Sequence, residues 1–124
     1  MTAGTELFEP DRIEAVATDH GVESETLAAA LTDHQEAVED LPGVENIVYE
    51  WRKQYEDPLV DRTETAYFLV VPHALWTEFA DALELSDEIR DAVVEVHRRT
   101  VATNTQAPPS PADDQAYVAL DRTV

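Results

Sequence analysis

Apolar residues recur along this chain in two rhythms, and the change from one to the other sets the expected elements. From Asp11 to His20, the residues Ile13, Val16 and Ala17 fall at i, i+3 and i+4, one face of a helix. Asp11 and Glu14 have capping-box spacing, and Gly21 ends the helix because glycine accepts the left-handed conformation. Residues 1–9 read as an extended lead-in. A second helix is expected from Ser24, a good N-cap, to about Asp40. Its stripe is Leu27, Leu31, His34, Val38 and Leu41, and Leu41-Pro42-Gly43 stops it. The longest apolar run, Ala66 to Val71, reads as a buried strand, since Pro72 forbids smooth helical continuation. Pro72 then suits the first turn of a helix carrying Leu75, Trp76, Phe79, Ala82 and Leu83. Ser86 caps a last helix from Asp87 to about Thr103, with Ile89, Ala92, Val93, Val96 and Thr100 inside. Acids at its start, and Arg98 and Arg99 near its end, suit the helix dipole.

Val44 to Lys53 fits both rhythms. As a strand, Ile47, Tyr49 and Trp51 alternate against Asn46, Glu50 and Arg52. As a helix, Val44, Ile47, Val48, Trp51 and Tyr55 share a face. We read it as a strand, because a β-rich run after Pro-Gly fits a helix-to-strand handover. Gln54 to Thr65 is then a loop of about a dozen residues, a length that tends to carry function. Residues 104–124 are rich in proline and read as a flexible tail, in which Tyr117-Val118-Ala119-Leu120 is expected to dock as an added edge strand. The expected fold class is α+β: two N-terminal helices, a two-stranded antiparallel hairpin, two C-terminal helices and the tail. Residues 1–103 form the single globular domain and 104–124 the tail. An all-α bundle, with Val44 to Asp57 helical, is the alternative.

Charge changes this picture more than any motif. The chain has 27 acids against 8 bases, a net charge of −19, and Lys53 is its single lysine. In dilute buffer such like charge resists compaction, whereas at about 1 M salt a Debye length of about 3 Å screens it. The composition resembles that of proteins from salt-in halophiles. Cysteine is absent, which excludes disulfides, thiolate metal sites and a cysteine nucleophile. No apolar run is long enough to span a bilayer, and no basic segment leads into an apolar one, so a cytoplasmic location and no membrane contact are expected.

Three constellations are candidates for function. Val16, Ala17, Gly21, Val22 and Leu27 sit at the offsets of apolar and turn residues in a helix-turn-helix, and this stretch of about twenty residues resembles the one in small transcription regulators. The resemblance implies DNA binding, but residues 23–35 hold three acids and no lysine or arginine, where phosphate contacts need cations. The second constellation is basic and aromatic: Trp51, Arg52 and Lys53, then Arg62, then His97, Arg98 and Arg99. Packing the last helix on the sheet would gather them into one surface for an anionic ligand or an acidic partner. Each arginine bound to a local acid is the plainer arrangement. The third is an enzyme site from Asp19-His20, Asp33-His34 or Glu95 with His97. Adjacent residues on a helix point apart, and two of His20, His34, His73 and His97 would have to meet an acid. No catalytic residue, metal ligand set or cofactor motif is assigned. The expectation is a non-catalytic interaction or regulatory domain with a protein partner; a DNA-associated regulator is the alternative and a histidine-carboxylate enzyme the third.

Overall fold

Five helices and a three-stranded antiparallel sheet make up the computed structural model, which describes residues 7–40 and 43–121. Residues 1–6, Leu41, Pro42 and 122–124, on which parts of the expected lead-in, helix stop and tail fall, lie outside the described residues. Helix α1 spans Pro10–His20 and buries Ile13, Val16 and Ala17, the stripe read from the sequence. Its N-cap is Glu9 rather than Asp11, and Pro10 takes the first helical position, where a missing N–H costs nothing. Gly21 ends it at φ 66°. Helix α2 spans Ser24–Asp40 and packs on α1.

The expected strand at Val44 to Lys53 is helix α3, Val44–Gln54. Gly43 explains why. At φ 97° and ψ 150° it takes a conformation that L side chains rarely adopt, and its N–H bonds Val38 O at 2.8 Å. Gly43 is thus the N-cap of the next helix, and its carbonyl accepts from Ile47 N–H at 2.9 Å, so the chain enters a helix at Val44 and not a strand. Val48 and Trp51, three apart, become the buried positions.

The hairpin therefore forms further on. Strand β1 is Leu59–Arg62, inside the stretch expected to be loop, and strand β2 is Ala66–Pro72. The turn is closed by Thr63 N–H to Ala66 O at 2.8 Å and by the Thr63 hydroxyl, which accepts from Thr65 and Ala66 N–H. Two apolar residues, Leu59 and Val60, suffice for β1 because β2 supplies the core. Pro72 ends β2 instead of opening the next helix, which is α4, Ala74–Ala82, with His73 at its N-cap. Helix α5 spans Asp87–Asn104, and the Ser86 hydroxyl accepts from Ile89 N–H, the cap read from the sequence.

Residues 115–121 correct the expected tail. Gln115–Asp121 is strand β3, paired antiparallel to β2 from Ala66↔Asp121 to Pro72↔Gln115. The sheet order is β1-β2-β3, so β3 is the edge strand expected of Tyr117 to Leu120. Ala116 to Asp121 are all buried, and α5 packs on the strand. This strand completes the core, and the domain does not end at 103. The prolines that suggest a tail confine themselves to the connection before it. With a sheet of three strands, the all-α alternative does not apply.

Candidate functional site

Strand β3 is an edge strand by order but not by exposure. Residues 117, 119 and 121 turn their backbone groups away from β2, and side chains from three helices meet them. Trp76 Nε1 donates to Tyr117 O at 3.2 Å. His97 Nδ1 accepts from Ala119 N–H at 2.9 Å. Gln35 donates to Ala119 O at 2.8 Å and accepts from Asp121 N–H at 2.9 Å. Buried backbone groups demand partners, and here amide, indole and imidazole replace a fourth strand.

His97 is wholly buried, so it is removed from the proposed surface. Because its Nδ1 accepts, its proton sits on Nε2, which has no hydrogen-bond partner. His34 lies beside it, ring centroids 5.4 Å apart, with Trp76 at 4.6 Å and Phe79 at 4.4 Å from His34. Both His34 nitrogens also lack partners. Burial pushes the His34 pKa down to about 3, and burial together with neighbouring His34 pushes that of His97 well down. Two of the four histidines are thus gathered, as an enzyme site would require. Among the described residues no carboxylate contributes to either shift, and no group of three or more His, Cys, Asp or Glu side chains is placed to hold a metal. The two neutral imidazoles are boxed in by the rings of Phe8, Trp76 and Phe79.

The remaining cations divide into two sets. On α5, Glu95 accepts from Arg98 Nε at 2.7 Å and Nη2 at 2.6 Å, and from Arg99 Nε at 2.6 Å. Arg98 also donates to Pro109 O at 2.6 Å, and Arg99 bonds Asp19 of α1 at 2.8 Å. The hydrogen bond from Arg98, more than any other contact, holds the Glu95 pKa down to about 2. These two arginines fasten α1 and the 105–114 connection to α5, and their donors face internal acceptors. Both side chains are 30% exposed, but their guanidinium groups are engaged by acceptors of the chain itself.

The second set is different. Among the described residues, the exposed cations are Arg52, Lys53 and Arg62. Arg52 has no ion pair among the described residues, and Lys53 makes a 3.9 Å contact to Glu50 with both side chains more than half exposed. Beside them the helix places Tyr49, 63% exposed, with Lys53 Nζ 5.2 Å from its ring centroid. Arg62 pairs with Tyr67 across the hairpin, so the two point to one face of the sheet. The Tyr67 hydroxyl in turn donates to Glu45 on the first turn of α3.

Trp51, the aromatic expected at this surface, is 4% exposed and packs toward Phe79. The choice of Trp51 over Tyr49 follows from the strand reading. In a strand, residues two apart share a face; in a helix they lie on nearly opposite sides. Tyr49, Arg52 and Lys53 at i, i+3 and i+4 were the signal to follow. The helix-turn-helix stretch does form α1, a Gly21 turn and α2. Yet α2 turns Leu27, Leu31, His34, Gln35 and Val38 inward and shows Glu25, Asp33, Glu36 and Glu39 outside. That face repels phosphate.

Fold and surface together define a small α+β domain with an acidic exterior, in which α3 shows Arg52 and Lys53 beside Tyr49. Among the described residues no helix is long and apolar enough to cross a membrane. The chain belongs to a family described as a domain of unknown function (DUF8048), whose model matches residues 6–122. That span takes in β3. No curated protein and no solved structure matches the chain.

Proposed function

We propose that this chain is a small, non-catalytic interaction or regulatory domain of a salt-rich cytoplasm, and that it meets an anionic ligand or an acidic partner through the outward face of α3. The contact residues are Tyr49, Arg52 and Lys53, with Arg62 alongside. The observation that carries the reading is Tyr49: it is the exposed large hydrophobic side chain among the described residues, and it stands beside two of the three exposed cations. Tyrosine and arginine are the usual anchors of interfaces, because they combine a broad apolar surface with hydrogen bonding. An acid-dominated surface gives such a patch contrast: an acidic partner is repelled elsewhere and accepted there.

Affinity capture in molar KCl tests this. The full chain is compared with Tyr49→Ala/Arg52→Gln/Lys53→Gln and with Arg98→Gln as control, and captured proteins are quantified by mass spectrometry. Specific partners are expected to vanish with the triple variant and to remain with the control. An unchanged set of partners overturns the reading.

A further inference from the structure

The face of α3 carries acids as well as cations, and their order along the helix matters. Glu45 lies at i−4 and Arg52 at i+3 from Tyr49, on one flank of the tyrosine. Asn46 at i−3 and Lys53 at i+4 lie on the other flank. At 3.6 residues per turn these positions sit one turn before and one turn after Tyr49. A two-fold axis beside Tyr49 that runs a second α3 antiparallel to the first therefore sets Glu45 against Arg52 of the other copy, twice. It sets Asn46 against Lys53, twice, and Tyr49 against Tyr49. The face is complementary to itself.

We infer that α3 is a self-association surface, and that a second copy of this chain, docked antiparallel about Tyr49, is the acidic partner it accepts. The inference rests on the proposed contact face and names its occupant. Local neutrality supports it. Glu45 and Glu50 offset Arg52 and Lys53 on α3, whereas the exposed side chains of α2 include Glu25, Asp33, Glu36 and Glu39 and no cation, and those of α4 include Glu78 and Asp81 and no cation. Two molecules of net charge −19 approach most readily where each is locally neutral. Glu45 is also held in place, since the Tyr67 hydroxyl donates to it from the sheet. A fixed acceptor loses less freedom when a guanidinium arrives. A helix of 11 residues is about 16 Å long, a contact suited to a reversible, concentration-dependent dimer rather than an obligate one. Salt acts in an unusual direction. At about 1 M the screening length is about 3 Å, so repulsion between whole molecules fades while pairs in contact persist, and the dimer forms better in molar KCl than in dilute buffer.

Charge reversal with sedimentation equilibrium tests this on the full chain in molar KCl. Arg52→Glu alone sets two acids against each other across the axis, and Glu45→Arg alone sets two guanidinium groups together. Each is expected to weaken dimerisation by about tenfold or more. An equimolar mixture of the two variants brings opposite charges together in the heterodimer and is expected to associate more strongly than either variant alone. Circular dichroism checks folding. Arg52 is exposed and without an ion pair among the described residues, so its variant keeps the test valid even if loss of the Tyr67 contact unsettles Glu45→Arg. A wild-type chain that stays monomeric at millimolar concentration overturns the proposal, as does a dimer indifferent to both reversals. If the chain is monomeric yet the triple variant still loses captured partners, only the second-copy proposal fails. If captured partners are also unchanged, the contact face fails with it.

Discussion

Polar and aromatic side chains gather at the outer edge of β3 and at the outward face of α3, and the fold has put them to opposite uses. At β3, His97, Gln35 and Trp76 direct their polar atoms to backbone groups of the strand. Nearby, Arg98 and Arg99 direct theirs to Glu95, Asp19 and Pro109. At α3, Arg52 and Tyr49 stand in solvent and, among the described residues, hold no other element in place. A cation or an aromatic ring therefore says little about binding until its internal partners are counted. Where an acceptor is already within reach, the side chain is structural; where none is, it is available to another molecule.

This contrast is broken most forcefully with acid. His34 and His97 are buried neutral, with folded-state pKa values below 6.5, about 3 for His34. The unfolded chain therefore binds more protons than the folded chain in the window below 6.5. The histidines' contribution is level above that value and falls as pH drops from about 6.5 toward about 3, by roughly 5 kcal/mol for His34 alone if the whole window is crossed. Protonating His97 at Nδ1 also removes the acceptor for Ala119 N–H. Urea unfolding between pH 7 and pH 5, above the carboxylate range, isolates this slope, and His34→Phe should flatten it. A stability independent of pH there would mean that the pair is not sealed.

Gln35→Leu comes next. It leaves Ala119 O and Asp121 N–H buried without the Gln35 amide, at a cost of about 2–4 kcal/mol. Denaturant midpoints measure the loss, and faster amide exchange at Asp121 would locate it on β3. Glu95→Gln is smaller, about 1 kcal/mol, because water reaches the Arg98 and Arg99 cluster and screens it. Its acid counterpart runs the same way: Glu95, held down to about 2, contributes stability that is present above its ordinary carboxylate range and lost as pH falls toward that value.

Much of this is legible without any coordinates. The stripes of α1, α2 and α5, the buried run of β2, the Ser86 cap and the added edge strand all follow from spacing and end signals, since a periodic apolar face has few ways to be buried. Two things are not. Val44 to Lys53 satisfies both periods, and the deciding feature is the backbone of Gly43, which apolar spacing does not encode. The site inherits that ambiguity, because strand and helix select different aromatics, Trp51 or Tyr49, for the same surface. The role of His97 is hidden for another reason. Its partner, Ala119 N–H, is 22 residues away and belongs to a strand whose neighbouring prolines read as a tail.

The smallest expected effect on stability is the sharpest test of the comparison. Arg52→Gln/Lys53→Gln removes two exposed cations whose contacts among the described residues are the loose 3.9 Å approach to Glu50 and the contact of Lys53 with the Tyr49 ring. Pairs this exposed contribute little, so the denaturation midpoint in molar KCl should not move resolvably. Partner capture by the same variant should fall all the same, since the two cations supply the charge of the α3 face. Arg98→Gln should do the reverse, lowering the midpoint as Glu95 and Pro109 lose a donor while leaving capture intact. Measured side by side, the two variants separate holding the fold from offering a surface. If both lowered stability and neither altered capture, α3 would be no more available than α5, and the distinction between the two regions would fall.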